Sequence, residues 1–282
     1  MDWAKGFAKL TRIHNLLFVA LTQYFTAYFL IDVHRTQHAY LTDIRLFLLV
    51  ASTVCIAAAG YMINDYYDVK IDLINRPRRV VVGTILKRRF VMAGHTVLTL
   101  LGISIGLLLS WEVGLIHLGG AFLLWWYSNS LKRMPFIGNL LIASLTGLAV
   151  AVVGIYYQQQ EFLVFTYALF AFAISLVREV IKDMEDIPGD QTFGCRTIPI
   201  VWGIPRTKQL LYGMSALFIF LLFFLAGKLG NPTLINYFLF LVIPITYFIF
   251  RLVQADTRQD FTFLNDFCKL MMLSGIISMV FF

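Results

Sequence analysis

The sequence predicts an all-α, polytopic membrane protein, with nine transmembrane helices in a single domain over residues 1–282. Three observations lead there. The 282-residue chain is 59% hydrophobic and only 14% charged, and its mean hydropathy of +0.77 lies outside the range of soluble domains. It contains nine apolar runs of about 20 residues, the length that crosses a hydrocarbon core of about 30 Å as a helix. Its basic residues collect in every second connection, as in a chain that threads a bilayer back and forth.

The runs lie at 13–31, 47–63, 90–109, 113–130, 137–157, 162–180, 209–226, 234–250 and 263–282. The first follows Lys5, Lys9 and Arg12, but it is long and aromatic and lacks a small-residue cleavage site, so a span is expected there rather than a signal peptide. With nine crossings, the N-terminus and the connections after runs two, four, six and eight share one side. That side carries Lys5, Lys9 and Arg12, then Lys70, Arg76, Arg78, Arg79, Lys87, Arg88 and Arg89, then Lys132 and Arg133. Further along it gains Arg178, Lys182, Arg196, Arg206 and Lys208, and finally Arg251 and Arg258. The opposite side holds Arg35, Arg45 and Lys228, and Lys269 falls within the last run. The rich side is therefore expected to be cytoplasmic. The net charge of +7 follows from topology and gives no reason to expect a nucleic-acid partner.

Acidic residues crowd onto the same basic side. After run two the chain reads NDYYDVKID, and Asp65, Asp68 and Asp72 stand at i, i+3 and i+7. On a helix that spacing keeps them within an arc of roughly 80°, stacked along one face. Like charges so placed repel each other, so something positive should sit among them. After run six, in REVIKDMEDIPGD, Asp183, Asp186 and Asp190 repeat the spacing, with Glu179 one turn earlier near the same face. The recurrence suggests two pseudo-repeated four-helix halves plus one helix, with the six carboxylates converging on a central cavity. Hard oxygen donors suit Mg²⁺, which takes one or two carboxylates and fills its octahedron with water and phosphate oxygens. A diphosphate site is the expectation, with Arg76, Lys132, Arg178 and Lys182 placed to neutralise phosphate oxygens.

Other polar residues carry less. Cys55, Cys195 and Cys268 have no CxxC spacing, and His14, His34, His38, His95 and His117 have no metal-ligand spacing, so packing roles are expected for both sets. Asp266 and Lys269, at i and i+3 in the last run, read as a buried charge pair, either a structural ion pair or a contact at the diphosphate end. Intramembrane carboxylates and duplicated halves also occur in ion-coupled transporters. Depth separates the two classes, because a transporter would carry its carboxylates near the midplane and here they stand at run ends beside polar loops.

These residues carry a family resemblance. NDYYDVKID resembles the NDxxDxxxD signature, and KDMEDIPGD the second DxxxD signature, of the UbiA-type intramembrane prenyltransferases. RIHN at 12–15, YSNSLKRMPFIGN at 127–139 and GCRTIPIVWG at 194–203 add to it, so the resemblance spans the chain. It implies a helical ring around a central cavity, with both aspartate motifs on cytoplasmic cap helices that bind Mg²⁺ and an isoprenyl diphosphate. It also implies that Arg12, Asn15 and Asn64 bind substrate and that Tyr127 faces the allylic cation. The chemistry implied is leaving-group stabilisation at the diphosphate, with the polyprenyl tail in a dry tunnel that a chain with 26 Phe, 13 Tyr and 5 Trp can line.

Within the family, NDYYDVKIDLINRP resembles the branch of digeranylgeranylglyceryl phosphate synthases and chlorophyll synthases, through Ile74, Asn75 and Pro77. The RT-x-RP continuation of heme O synthases and 4-hydroxybenzoate prenyltransferases is absent. The implied acceptor is the hydroxyl of a prenylglyceryl phosphate, a membrane lipid precursor, with an aromatic quinone precursor as the alternative. At 78–83 the chain reads RRVVVG where that branch commonly reads RPIPSG, which places a stiff β-branched run in the loop expected to cover the site.

Overall fold

The computed structural model describes residues 2–31 and 42–282. His34, Arg35 and His38 lie outside the described residues. The rest form ten α-helices, with no β-structure among the described residues beyond an isolated bridge between Val82 and Leu86. In order they are α1 (Asp2–Leu10), α2 (Ile13–Phe25), α3 (Ile44–Asn75), α4 (Arg88–Leu109), α5 (Trp111–Asn129), α6 (Ile137–Tyr157), α7 (Glu161–Thr192), α8 (Ile198–Leu229), α9 (Pro232–Gln254) and α10 (Arg258–Ile277). Eight helices among the described residues are long and apolar enough to cross a membrane, which makes this an integral membrane protein. They correspond to eight of the nine predicted runs. The run at 113–130 is α5, which carries Glu112, His117 and three tryptophans and is not among the eight.

Local chemistry sets the boundaries. Past Phe25 the first span continues as π-helical turns over Thr26–Ile31, and the hydroxyls of Thr22 and Thr26 donate back to the carbonyls of Phe18 and Thr22. Asp43 caps α3 by accepting from the Arg45 N–H at 2.8 Å. Pro77 then stops α3, because the residue before a proline is pushed out of helical space and Arg76 sits at φ −143°, ψ 60°. Ser110 ends α4 and caps α5 by accepting from the Val113 N–H. In α8 the helix is broken at Gly203, whose φ of 77° needs a glycine, two residues before Pro205 restarts it. The predicted seventh run, 209–226, thus captured only the part beyond the break.

The two long acidic-ended helices carry the aspartate motifs at their C-terminal ends. Both α3 and α7 have 32 residues and run unbroken from apolar sequence into the carboxylates. A 32-residue helix measures roughly 48 Å against a hydrocarbon core of about 30 Å, so the carboxylate turns extend past the apolar segment.

The chain divides into two compact units, Met1–Lys132 with Val152–Gln159, and Arg133–Ala151 with Gln160–Phe282. In the first, α3 packs on α2, α4 and α5. At Gly102 a Cβ would stand 2.7 Å from the Ile56 Cδ1 and 3.0 Å from the Ser52 carbonyl, so only glycine lets α4 approach α3 this closely. Leu10, Met62, Val81, Val82, Leu86 and Val91 form a buried cluster under the carboxylate end of α3. Val81 and Val82 of RRVVVG therefore belong to this core, and Val80 is half-buried. In the second unit α7 packs on α8 and α10, around Val180, Ile181, Ile198, Leu211, Leu252, Phe261 and Leu264. Leucines and isoleucines such as Leu108 (84% exposed) and Ile243 (66% exposed) stand outside the packed cores, as lipid-facing side chains do.

Candidate active site

In the first unit the Asp65–Asp72 stripe lies on the last three turns of α3. Its upper two carboxylates are paired with cations that arrive from far along the chain. Arg12 donates to the Asp65 Oδ1 at 2.8 Å, and Lys132 donates to the Asp68 Oδ1. The side chains of Asp65, Asp68 and Lys132 are each no more than 15% exposed. The expectation that positive charge must sit in the stripe is met by these two residues.

Arg12 is held in place by its backbone. It joins α1 to α2 in the left-handed region, at φ 52° and ψ 55°, which costs an ordinary residue about 1–2 kcal/mol. Its carbonyl accepts from the Asn15 N–H at 2.7 Å, so Asn15 stands in the first turn of α2 beside it. The guanidinium also lies over the Tyr61 ring at 5.0 Å. Burial opposes the cation, but Asp65 and Tyr61 outweigh it and hold the Arg12 pKa above its ordinary value. Asn64 hydrogen-bonds Asp65 through its side chain. Asp72 is one turn further on, and its carbonyl accepts from the Arg76 N–H at 2.7 Å. Tyr127 is half-buried, five residues before Lys132, on the last turn of α5.

In the second unit the stripe occupies the end of α7, which continues through Pro188 to Thr192. Asp183 accepts from the Asn139 Nδ2 at 2.8 Å. Lys182 stands 3.8 Å from Asp186, one turn on. Arg178 donates to neighbouring Glu179 at 2.7 Å, so in this structure its charge is directed at Glu179 and not at a stripe aspartate. The carbonyl of Asp190 accepts from the Cys195 N–H at 2.9 Å, which ties the loop after α7 back to the stripe.

Sequence reasoning missed two residues here. Asn139 is buried (6% exposed) at the start of α6 and aims its amide at the first aspartate of the stripe. Its signal was an echo: Arg12-Ile13-His14-Asn15 opens α2 and Phe136-Ile137-Gly138-Asn139 opens α6, and Phe136, like Arg12, has a positive φ. Asn265 donates to buried Glu185 at 3.0 Å and fixes α10 against α7 next to Asp186. By contrast, the expected buried pair Asp266–Lys269 is a surface contact, with side chains 64% and 40% exposed. An i, i+3 pair on α10 faces away from the helices that bury Asn265.

Among the described residues no three His, Cys, Asp or Glu side chains close on a point as a metal site made of protein ligands alone would. What each stripe offers is hard oxygen donors about one turn apart, with Asp65, Asp68 and Asp186 facing cations and Asp183 an amide.

The fold and these stripes define an all-helical integral membrane protein with carboxylate-bearing helices that run beyond its spans. The chain belongs to the UbiA prenyltransferase family, whose model matches residues 16–275. It is 30% identical over 280 residues to digeranylgeranylglyceryl phosphate synthase of Saccharolobus solfataricus, covering 97% of this chain and 95% of that one. The same enzyme of Thermococcus sibiricus is 37% identical over 172 residues, 61% of each chain. A solved structure of a UbiA homologue from Archaeoglobus fulgidus bound to DMAPP and Mg²⁺ shares the fold, with a TM-score of 0.63 at 17% identity over 97% of this chain and 98% of that one.

Proposed function

We propose that this chain transfers a polyprenyl group from an isoprenyl diphosphate to the hydroxyl of a prenylglyceryl phosphate, forming an ether lipid, and that 1–282 acts as one prenyltransferase domain. The observation that carries this reading is the near full-length likeness to a digeranylgeranylglyceryl phosphate synthase, combined with two carboxylate stripes that carry their own cations. A UbiA homologue binds DMAPP with Mg²⁺. The donor set here suits that ion, because Asp65, Asp68, Asp72, Asp183, Asp186 and Asp190 offer hard oxygens on helix ends that project beyond the apolar segment.

Bound Mg²⁺ would supply charge stabilisation for the departing diphosphate, so that the allylic C–O bond breaks. The protein's own residues do the rest. Arg12, Arg76 and Lys132 in one unit, and Arg178 and Lys182 in the other, provide cations for diphosphate oxygens. Asn15, Asn64 and Asn139 orient the carboxylates and the polar end of the donor. Tyr127 offers a ring face to the allylic cation, and the apolar interiors keep water from it. An anionic acceptor suits the basic face, which we assign to the cytoplasm.

The test is a transfer assay in detergent with labelled geranylgeranyl diphosphate, run with and without Mg²⁺. Geranylgeranylglyceryl phosphate and an aromatic quinone precursor are offered separately. Mg²⁺-dependent product with the lipid phosphate alone is expected. Product with the aromatic acceptor alone would move the chain to the quinone reading, and Mg²⁺-independent turnover would remove the metal.

A further inference from the structure

The pairing of Asp65 with Arg12 and of Asp68 with Lys132 has a thermodynamic implication for ligand binding. The cations come from 53 and 64 residues away, so they are not incidental neighbours on the same helix. The Arg12 backbone is held in an unfavourable conformation to bring its guanidinium there. Each cation takes an oxygen that a divalent ion bound to the stripe would need. A metal that binds alone through those oxygens must displace a cation, and Lys132, whose side chain is only 10% exposed, is then left unpaired in a poorly solvated place, which is costly. A diphosphate removes that cost, because its oxygens can receive the displaced guanidinium and ammonium groups.

We propose that Arg12 and Lys132 are built-in competitors for the metal: they hold the first stripe closed to a divalent ion until a diphosphate draws them away, so that metal and donor bind as a unit. This rests on reading the first stripe as a metal–diphosphate site. Coupling of this kind is reciprocal, so the metal tightens diphosphate binding by the same factor. The resting protein then holds metal weakly and the donor arrives with its ion.

Mn²⁺ titration tests it, with free Mn²⁺ read by electron paramagnetic resonance on purified protein in detergent. Titrations are run without and with inorganic diphosphate, corrected for the Mn²⁺–diphosphate complex in solution. In the native chain diphosphate is expected to tighten Mn²⁺ binding by roughly tenfold or more. In Lys132→Met, Mn²⁺ alone is expected to bind roughly tenfold more tightly than in the native chain, and the diphosphate effect to shrink to about twofold. Arg12→Gln gives the same pattern and serves if Lys132→Met does not fold. Native-sized coupling in these variants overturns the proposal, because loss of a charge alone shifts both affinities without changing how they depend on each other. Asp68→Asn separates the two readings. If it binds Mn²⁺ with diphosphate as the native chain does, the stripe is not the metal site and both readings fall. If it loses that binding while Lys132→Met keeps full coupling, only the competitor role falls.

Discussion

At the scale of single residues, function concentrates in side chains whose surroundings constrain them. Asp68 and Asp186 sit in the middle of their stripes, each with a lysine as partner. Asp68→Ala and Asp186→Ala are expected to abolish prenyl transfer while size-exclusion profiles and thermal unfolding in detergent stay near native. Asn139→Ala removes the amide that holds Asp183 and is expected to lower turnover by roughly 10–100-fold, the usual effect of losing a group that orients a ligand residue. The i, i+3, i+7 aspartates were legible in the sequence because helical periodicity is a local property. Asn139 and Asn265 were not, since an amide 44 or 80 residues from its carboxylate gives no periodic signal. Asp266 and Lys269 misled for the complementary reason: their spacing guarantees contact but says nothing about which face of α10 is covered.

At the scale of elements, apolar length located the spans, and the run at 137–157 coincides with α6. It did not locate the ends of α3 and α7, where aspartates and lysines interrupt the apolar signal although the backbone stays helical as far as the next stop. Nor did it show α8 beginning at Ile198, because Gly203 and Pro205 read as a loop. Close packing of α3 on α4 depends on Gly102. Gly102→Val is expected to force these helices apart and lower stability by about 1–3 kcal/mol, measured as an earlier thermal unfolding transition in detergent.

At the scale of the whole molecule, the distribution of lysine and arginine predicts orientation. With Cys55, Cys195 and Cys268 replaced, a cysteine at position 87 is expected to react with an impermeant maleimide only from the cytoplasmic face of sealed vesicles, and one at position 45 only from the other face. Lys87 and Arg45 are both exposed and belong to the same unit. The continuity of α3 and α7 has a consequence for the surrounding lipid. Because one rigid rod carries both the membrane-embedded residues and the carboxylates, bilayer thickness sets how far the aspartates stand above the acyl chains. In reconstituted vesicles, longer acyl chains would draw them toward the hydrocarbon, or tilt the rods. Transfer rate is then expected to fall as acyl length rises beyond a hydrophobic match, with no residue changed.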